Sequence, residues 1–126
     1  MDEETIMRAA EMEQQARGLE ENMGYINIQI SELEAFKDDL GKIAKSKRKE
    51  MLSSIGKRVY IKAVIEDSSK LFVDVGAGVV VRKTPEETVK IVNEQIERLQ
   101  EAKIQISKQI EIYHNELNDF IRTTSN

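Results

Sequence analysis

The chain has no cysteine, which excludes disulfides and thiolate metal sites and suits a reducing cytoplasm. It has one histidine, His114, so neither a histidine-rich metal site nor a histidine-based triad can be assembled. On a helix, a lone histidine of this kind reads as a solvated face residue. Tryptophan is absent, proline occurs once, and only 5% of the 126 residues are aromatic. That is little material for a compact globular core, and with 33% charged residues it is typical of long helices. No run of about 18 apolar residues exists to span a bilayer, and the opening MDEETIMRAAEMEQQ is too acidic for a signal peptide. A net charge of −4 argues against a general nucleic-acid binder. These absences predict a cytoplasmic protein of one domain, residues 1–126, with no catalytic residues, no metal, no cofactor and no membrane or nucleic-acid partner.

What is present is a seven-residue repeat. From about Thr5 to Lys47, Ala9, Met12, Ala16, Leu19, Met23, Ile26, Ile30, Leu33, Leu40 and Ala44 follow spacings of three and four. One position in the run, Lys37, is polar, and Phe36 beside it is available to take over the packing. Roughly six heptads with so few breaks are a coiled-coil signal, the alternative being an amphipathic helix laid on a globular core. The rest of the chain barely supplies such a core. A second stripe, Val89, Val92, Ile96, Leu99, Ile106, Ile110, Tyr113, Leu117 and Phe120, keeps the same alternation and is interrupted only at Lys103. Its start is marked: Thr84 can cap, Pro85 suits the first helical position, and Glu87 completes a T-x-x-E capping box. The spacing therefore predicts helices over 5–47 and 85–123, each roughly 55–65 Å long, paired as an antiparallel hairpin whose stripes bury each other.

Between them, over 51–83, the period changes from helical to alternating. KRVYIKAVI, LFVDV and VVVRK are rich in β-branched residues, and Gly56-Lys57, Asp67-Ser68-Ser69 and Gly76-Ala77-Gly78 separate them. Two hairpins are expected, about Met51–Ile55 with Arg58–Ile65 and Lys70–Val75 with Val79–Arg82. Apolar residues on both faces of the inner strands imply that both faces are covered.

The Gly76-Ala77-Gly78 segment could also be read as a phosphate cradle. A dinucleotide loop reads G-x-G-x-x-G and opens directly into a helix. Here the segment runs into Val79, Val80 and Val81, so valine occupies the place of the third glycine and the chain continues as a strand. The hairpin turn is the better reading.

A β unit of about 35 residues is too small to stand alone without disulfides, metals or oligomerisation. The first two are not on offer, and its strand edges stay open for pairing. The residues therefore predict an oligomer joined through the β segment, with the helices projecting from it. Val59, Ile61, Ile65, Leu71, Val73, Val75, Val79 and Val81 are the candidate platform residues, and Gly76 and Gly78 form a hairpin turn.

The order helix, two hairpins, helix, with IGKRVYIKAVIEDSSKLFVDVGAGVVVRKTPEETVKIV in the middle, resembles the alpha class of prefoldin subunits. The segments YIKAVIEDSSKLFVDVGAGVVV and RKTPEET carry the resemblance. In them an apolar-Lys-Ala strand, a polar turn and a strand ending in V-G-x-G-apolar precede the second helix. Beta-class subunits carry one hairpin, so two hairpins favour the alpha class. The family often enters its first hairpin through L-V-P-apolar-G, whereas this chain has Leu52-Ser53-Ser54-Ile55-Gly56, without the proline.

The resemblance implies an α+β fold: a long antiparallel coiled-coil hairpin with two β-hairpins between the helices, contributing to an oligomeric β-barrel platform. It also implies an ATP-independent chaperone, a hexamer of two alpha and four beta-class subunits. Its arm tips hold non-native client proteins and pass them to a group II chaperonin. The short chain is most similar to the archaeal form. At the arm tip, Ile6, Met7 and Met12 would meet the region of Leu117, Phe120 and Ile121, and fraying there would offer apolar area to an unfolded segment. The alternative for each of these residues is that it only closes the helix pair. The basic run Lys42, Lys45, Lys47, Arg48 and Lys49 falls at the end of the first helix, where positive charge offsets the helix dipole, and a nucleic-acid role is the lesser reading. A rival for the whole chain is a structural coiled-coil spacer or filament-forming scaffold on the same β platform.

Overall fold

A computed structural model describes residues 2–45 and 50–124. In chain order it contains α1 (Glu3–Lys45), β1 (Glu50–Gly56), β2 (Val59–Val64), β3 (Leu71–Asp74), β4 (Val80–Lys83) and α2 (Pro85–Thr124). Two long helices thus enclose two antiparallel hairpins, each a separate two-stranded sheet. The expected end of the first helix near Lys47, with Lys47, Arg48 and Lys49 themselves, lies outside the described residues.

The first helix starts earlier than the stripe indicated, because Asp2 caps it. The Thr5 amide donates to Asp2 Oδ1 at 2.7 Å and the Ile6 amide to the Asp2 carbonyl at 3.1 Å. Glu3 and Glu4 add negative charge to the first turn, where the helix dipole is positive. At the start of α2 the expected cap is present: the Glu87 amide donates to Thr84 Oγ1 at 3.1 Å, and Thr84 Oγ1 donates to the Glu87 carboxylate at 3.3 Å. Thr88, buried at 4% exposure, donates its hydroxyl to the Thr84 carbonyl at 2.9 Å.

The chain divides into two compact units, one of Met1–Glu32 with Ile96–Asn126 and one of Leu33–Gln95. In the first, Met12, Ala16 and Ile96 are buried. The remaining seam residues, among them Leu19, Ile26, Ile106, Ile110 and Leu117, are half-buried. Lys103 is exposed and Ala102 is half-buried in its stead. His114 lies with Nε2 3.6 Å from Glu20 Oε1, so it answers a carboxylate on the other helix rather than only solvent.

In the second unit Leu40 and Val92 are buried. Residues 37 and 93 are in contact, as are the regions of 40–44 and 85–89, so the helices run antiparallel there. The expectation that Phe36 would relieve the polar position fails, since Phe36 is 45% exposed. Lys37 keeps its place in the seam because its ammonium finds partners: Nζ donates to Asn93 Oδ1 at 3.1 Å and lies 3.3 Å from Glu34. A lysine can bury its methylenes in a narrow seam and carry its charge to the edge.

No described side chain is fully buried, so the apolar interior is a seam one residue deep. Such a seam stabilises through many half-burials, each worth a fraction of the 1.5–3 kcal/mol of a fully buried large aliphatic residue.

The hairpins differ in detail from the sequence expectation. β1 pairs with β2 from Glu50↔Val64 to Gly56↔Val59, with a register shift between Ser54 and Gly56. Ile55 is the extra residue of this bulge, and Ser54 Oγ accepts the Gly56 amide at 3.3 Å. Ser54 stands where the resembling pattern has proline. Lys57 and Arg58 both take positive φ (50° and 65°), so Arg58 belongs to a two-residue turn and not to β2. Ile65 lies beyond the end of β2 and Lys70 before the start of β3. Val75 and Val79 flank the second turn outside the strands proper, still joined by the Val75 amide donating to the Val79 carbonyl at 2.9 Å.

Candidate functional site

The expectation that both faces of the inner strands are covered is not met within the chain. In the first hairpin Leu52, Ile55, Val59, Tyr60, Ile61 and Val64 are exposed by 52–67%. In the second Phe72, Val75, Val79 and Val80 are exposed by 53–68%. Of the platform residues expected from sequence, Ile65, Leu71, Val73 and Val81 are half-buried, whereas Val59, Ile61, Val75 and Val79 are exposed. Alternation explains the division in the second hairpin. Leu71, Val73 and Val81 share one face, where Val73 pairs with Val81, and Phe72, Asp74, Val80 and Arg82 share the other. On that outer face the Arg82 guanidinium stands 5.5 Å over the Phe72 ring. Exposed branched and aromatic side chains in this number, on both faces of the first hairpin and on the outer face of the second, mark the hairpins as candidate interaction surfaces.

The second turn is built on backbone conformation. Gly76 and Gly78 have φ of 120° and 76°, and Ala77 between them has 51°. The Gly76 amide donates to Asp74 Oδ1 at 2.8 Å, and the Val79 amide donates to the Gly76 carbonyl at 3.0 Å. A carboxylate therefore occupies the amide that a phosphate would need, and the segment opens into β4, not into a helix. The phosphate-cradle reading has no geometric support.

The turn between β2 and β3 is held by Asp67, whose Oδ1 accepts both the hydroxyl and the amide of Ser69. The hydroxyl first, then the amide, hold the Asp67 carboxyl below its ordinary pKa, with a smaller contribution from Lys70. Sequence reading named this turn without its hydrogen bonds; the D-S-S spelling was the available signal.

The unit containing both chain ends holds the residues expected at an arm tip. Ile6, Met7 and Ile121 are exposed at 52%, 64% and 65%, Leu117 and Phe120 are half-buried, and Met12 is buried in the seam at 7%. Among the described residues no cluster of His, Cys, Asp or Glu could hold a metal ion. No described helix is long and apolar enough to cross a membrane.

Comparison with known proteins places these features. The family described as "Prefoldin subunit" matches residues 12–126. A filamentous prefoldin from Methanocaldococcus jannaschii, solved by cryo-electron microscopy, superposes with a TM-score of 0.83 at 20% identity, over 92% of this chain and 97% of that one. A "Protein UXT homolog" from Dictyostelium discoideum is 42% identical over 41 residues. That match spans 32% of this chain and 26% of the relative's length.

Proposed function

The chain belongs to the prefoldin family, and from that premise we propose that it is an alpha-class subunit of an ATP-independent holdase. Membership carries a chaperone-type, non-enzymatic role and assembly with other prefoldin subunits. The finer reading is a hetero-hexamer of two alpha and four beta-class subunits in the cytoplasm. It holds non-native client proteins at the arm tips and delivers them to a group II chaperonin. The observation that carries tip capture is the exposure of Ile6, Met7 and Ile121 beside the half-buried Leu117 and Phe120. Exposed methionine and isoleucine next to a seam end offer adaptable apolar area to an extended segment. Each contact is weak, and several tips on one client multiply the effect. The exposed hairpin faces support joining through Val59, Ile61, Val75, Val79 and their neighbours, because apolar surface on this scale favours being covered. Met12, being buried, supports the tip from within the seam.

The test is substitution of Ile6, Met7 and Ile121 by serine in the chain assembled with its beta-class partner. Suppression of aggregation of a denatured test protein, without ATP, should fall while the mass by light scattering stays that of the parent. Matched substitutions in the partner should deepen the loss. Undiminished holding by the fully substituted assembly sinks the tip assignment.

A second reading is favoured by one finding, that the superposed relative is a filamentous prefoldin. In it the same hairpin surfaces join copies of this chain end to end in a structural filament. Electron microscopy of the chain alone separates the two: long polymers without any holding activity select the filament.

A further inference from the structure

Charge is unevenly divided along the chain. In the unit of Met1–Glu32 with Ile96–Asn126, Asp and Glu outnumber Lys and Arg by 13 to 6, whereas in Leu33–Gln95 they are outnumbered by 13 to 10. The acidic excess gathers around the exposed apolar residues near the chain ends. Over residues 2–12 and 115–124 the charged residues are Asp2, Glu3, Glu4, Glu11, Glu116 and Asp119 against Arg8 and Arg122. The six carboxylates belong to exposed residues, and the four on the first helix stand three or four positions from Ile6 or Met7, on the same turn of helix surface. Arg8 has Glu4 and Glu11 at those spacings and offsets one of them. The dipole at the start of α1 supplies only about half an elementary charge more, so the excess survives both. Further in, charges meet their opposites: Glu13 pairs with Arg17 at 2.7 Å, and Glu20 lies 3.6 Å from His114. Unbalanced negative charge thus surrounds Ile6, Met7 and Ile121, the apolar side chains that are 52–65% exposed.

We propose that this surface selects its client segments by charge, taking apolar stretches flanked by lysine or arginine and turning away those flanked by aspartate or glutamate. The apolar side chains supply the contact, and the carboxylates around them supply the choice. Each exposed ion pair is weak in water, but carboxylates within a Debye length of about 8–10 Å act together on one flanking segment. Repulsion of acidic flanks contributes to the selection as much as attraction of basic ones. The proposal rests on the tip reading above and names the class of segment that reading leaves open.

The experiment uses the full chain assembled with a beta-class subunit and a set of unstructured peptides carrying an uncharged dye. Three share one apolar core and differ in flanks of lysine, serine or glutamate; a fourth keeps the lysines around a core of serine. By fluorescence anisotropy the lysine-flanked peptide should bind about tenfold more tightly than the glutamate-flanked one, with serine between them. The ratio should shrink as ionic strength rises, and the peptide without an apolar core should not bind measurably. The variant E11Q/E116Q/D119N, which spares the first turn of α1, should narrow the ratio about threefold and leave the serine-flanked peptide unchanged. Circular dichroism checks that this variant stays helical. A benzophenone on the lysine-flanked peptide should label residues 2–12 or 115–124 of this chain, read by mass spectrometry. Equal binding of the three flanks overturns the proposal, as do an unaltered ratio in the variant, tight binding of the coreless peptide, or labelling confined to the partner. If I6S/M7S/I121S abolishes binding of the serine-flanked peptide while flanks make no difference, charge selection alone fails. If that variant binds the peptide as the parent does, the tip reading fails and charge selection with it.

Discussion

Replacing Gly76 by L-alanine isolates the backbone of the second turn. The position has φ of 120°, outside even the small left-handed region that L-residues visit, and an added Cβ meets nothing within 4 Å. The cost is therefore conformational and not steric, about 1–3 kcal/mol for a residue held in so sparsely populated a region. It falls on the hairpin that the turn closes. The Val75 amide, which donates to the Val79 carbonyl at 2.9 Å, reports that closure. If the amide exchanges by local opening, its protection should fall by roughly 5- to 150-fold, at one decade per 1.4 kcal/mol. Amides in the seam of α1 and α2 should be unchanged. D-alanine at 76, introduced by semisynthesis, mirrors the preference and should restore parental protection. Equal protection in the glycine and L-alanine proteins would refute the argument from φ. Equal damage from both alanine enantiomers would refute its steric half. Saturable nucleotide binding that disappears in the L-alanine variant would revive the phosphate cradle.

Lys37→Leu should raise the free energy of unfolding in urea by about 1 kcal/mol, read as a higher midpoint at unchanged slope, because a seam position gains apolar burial, while loosening the register that the Asn93 hydrogen bond selects. Heterogeneous cross-helix disulfide trapping from cysteine pairs placed along the seam would report that loosening, and an unchanged midpoint would count against it. Thr84→Ala removes the acceptor of the Glu87 amide and should cost about 1 kcal/mol in thermal unfolding, whereas Thr84→Ser should cost less. K57N/R58G supplies the residues that a turn with two positive φ values prefers and should slow exchange of the β1–β2 amides. Asp67 has a folded pKa below its ordinary 3.8, so its contribution to the turn is present above that value and lost as pH falls through the folded pKa. The Ser69 amide resonance should titrate with a midpoint below 3.8, and Ser69→Ala should move it upward.

Much of the fold was legible because its driving pattern is local and repeated. Ala9 through Ala44 and Val89 through Phe120 state a period of three and four, and only a helix with an apolar partner satisfies it. The Thr84-Pro85-x-Glu87 cap fixed the start of α2 for the same reason: every atom involved lies within four residues. Where neighbours in space decide, the reading slipped. Phe36 and Lys37 compete for one seam position, and Asn93, fifty-six residues away, settles it for the lysine. Asp2 caps α1 ahead of the stripe, an effect that apolar spacing does not register. Lys57 and Arg58 carry no sign of a left-handed turn; the pairing of Gly56 with Val59 forces it on them.

The sequence by itself determined that two amphipathic helices flank a β-rich segment too small for its own core, because composition and period depend only on residue order. The tertiary structure decided which apolar residues stay uncovered. Ala16 and Val92 are buried at 3% while Ile6, Tyr60 and Phe72 remain open, and all of them look alike as entries in an apolar pattern. Burial is a property of what lies opposite a side chain. Only the folded backbone sets which residues stand opposite one another, and so which apolar surfaces remain uncovered.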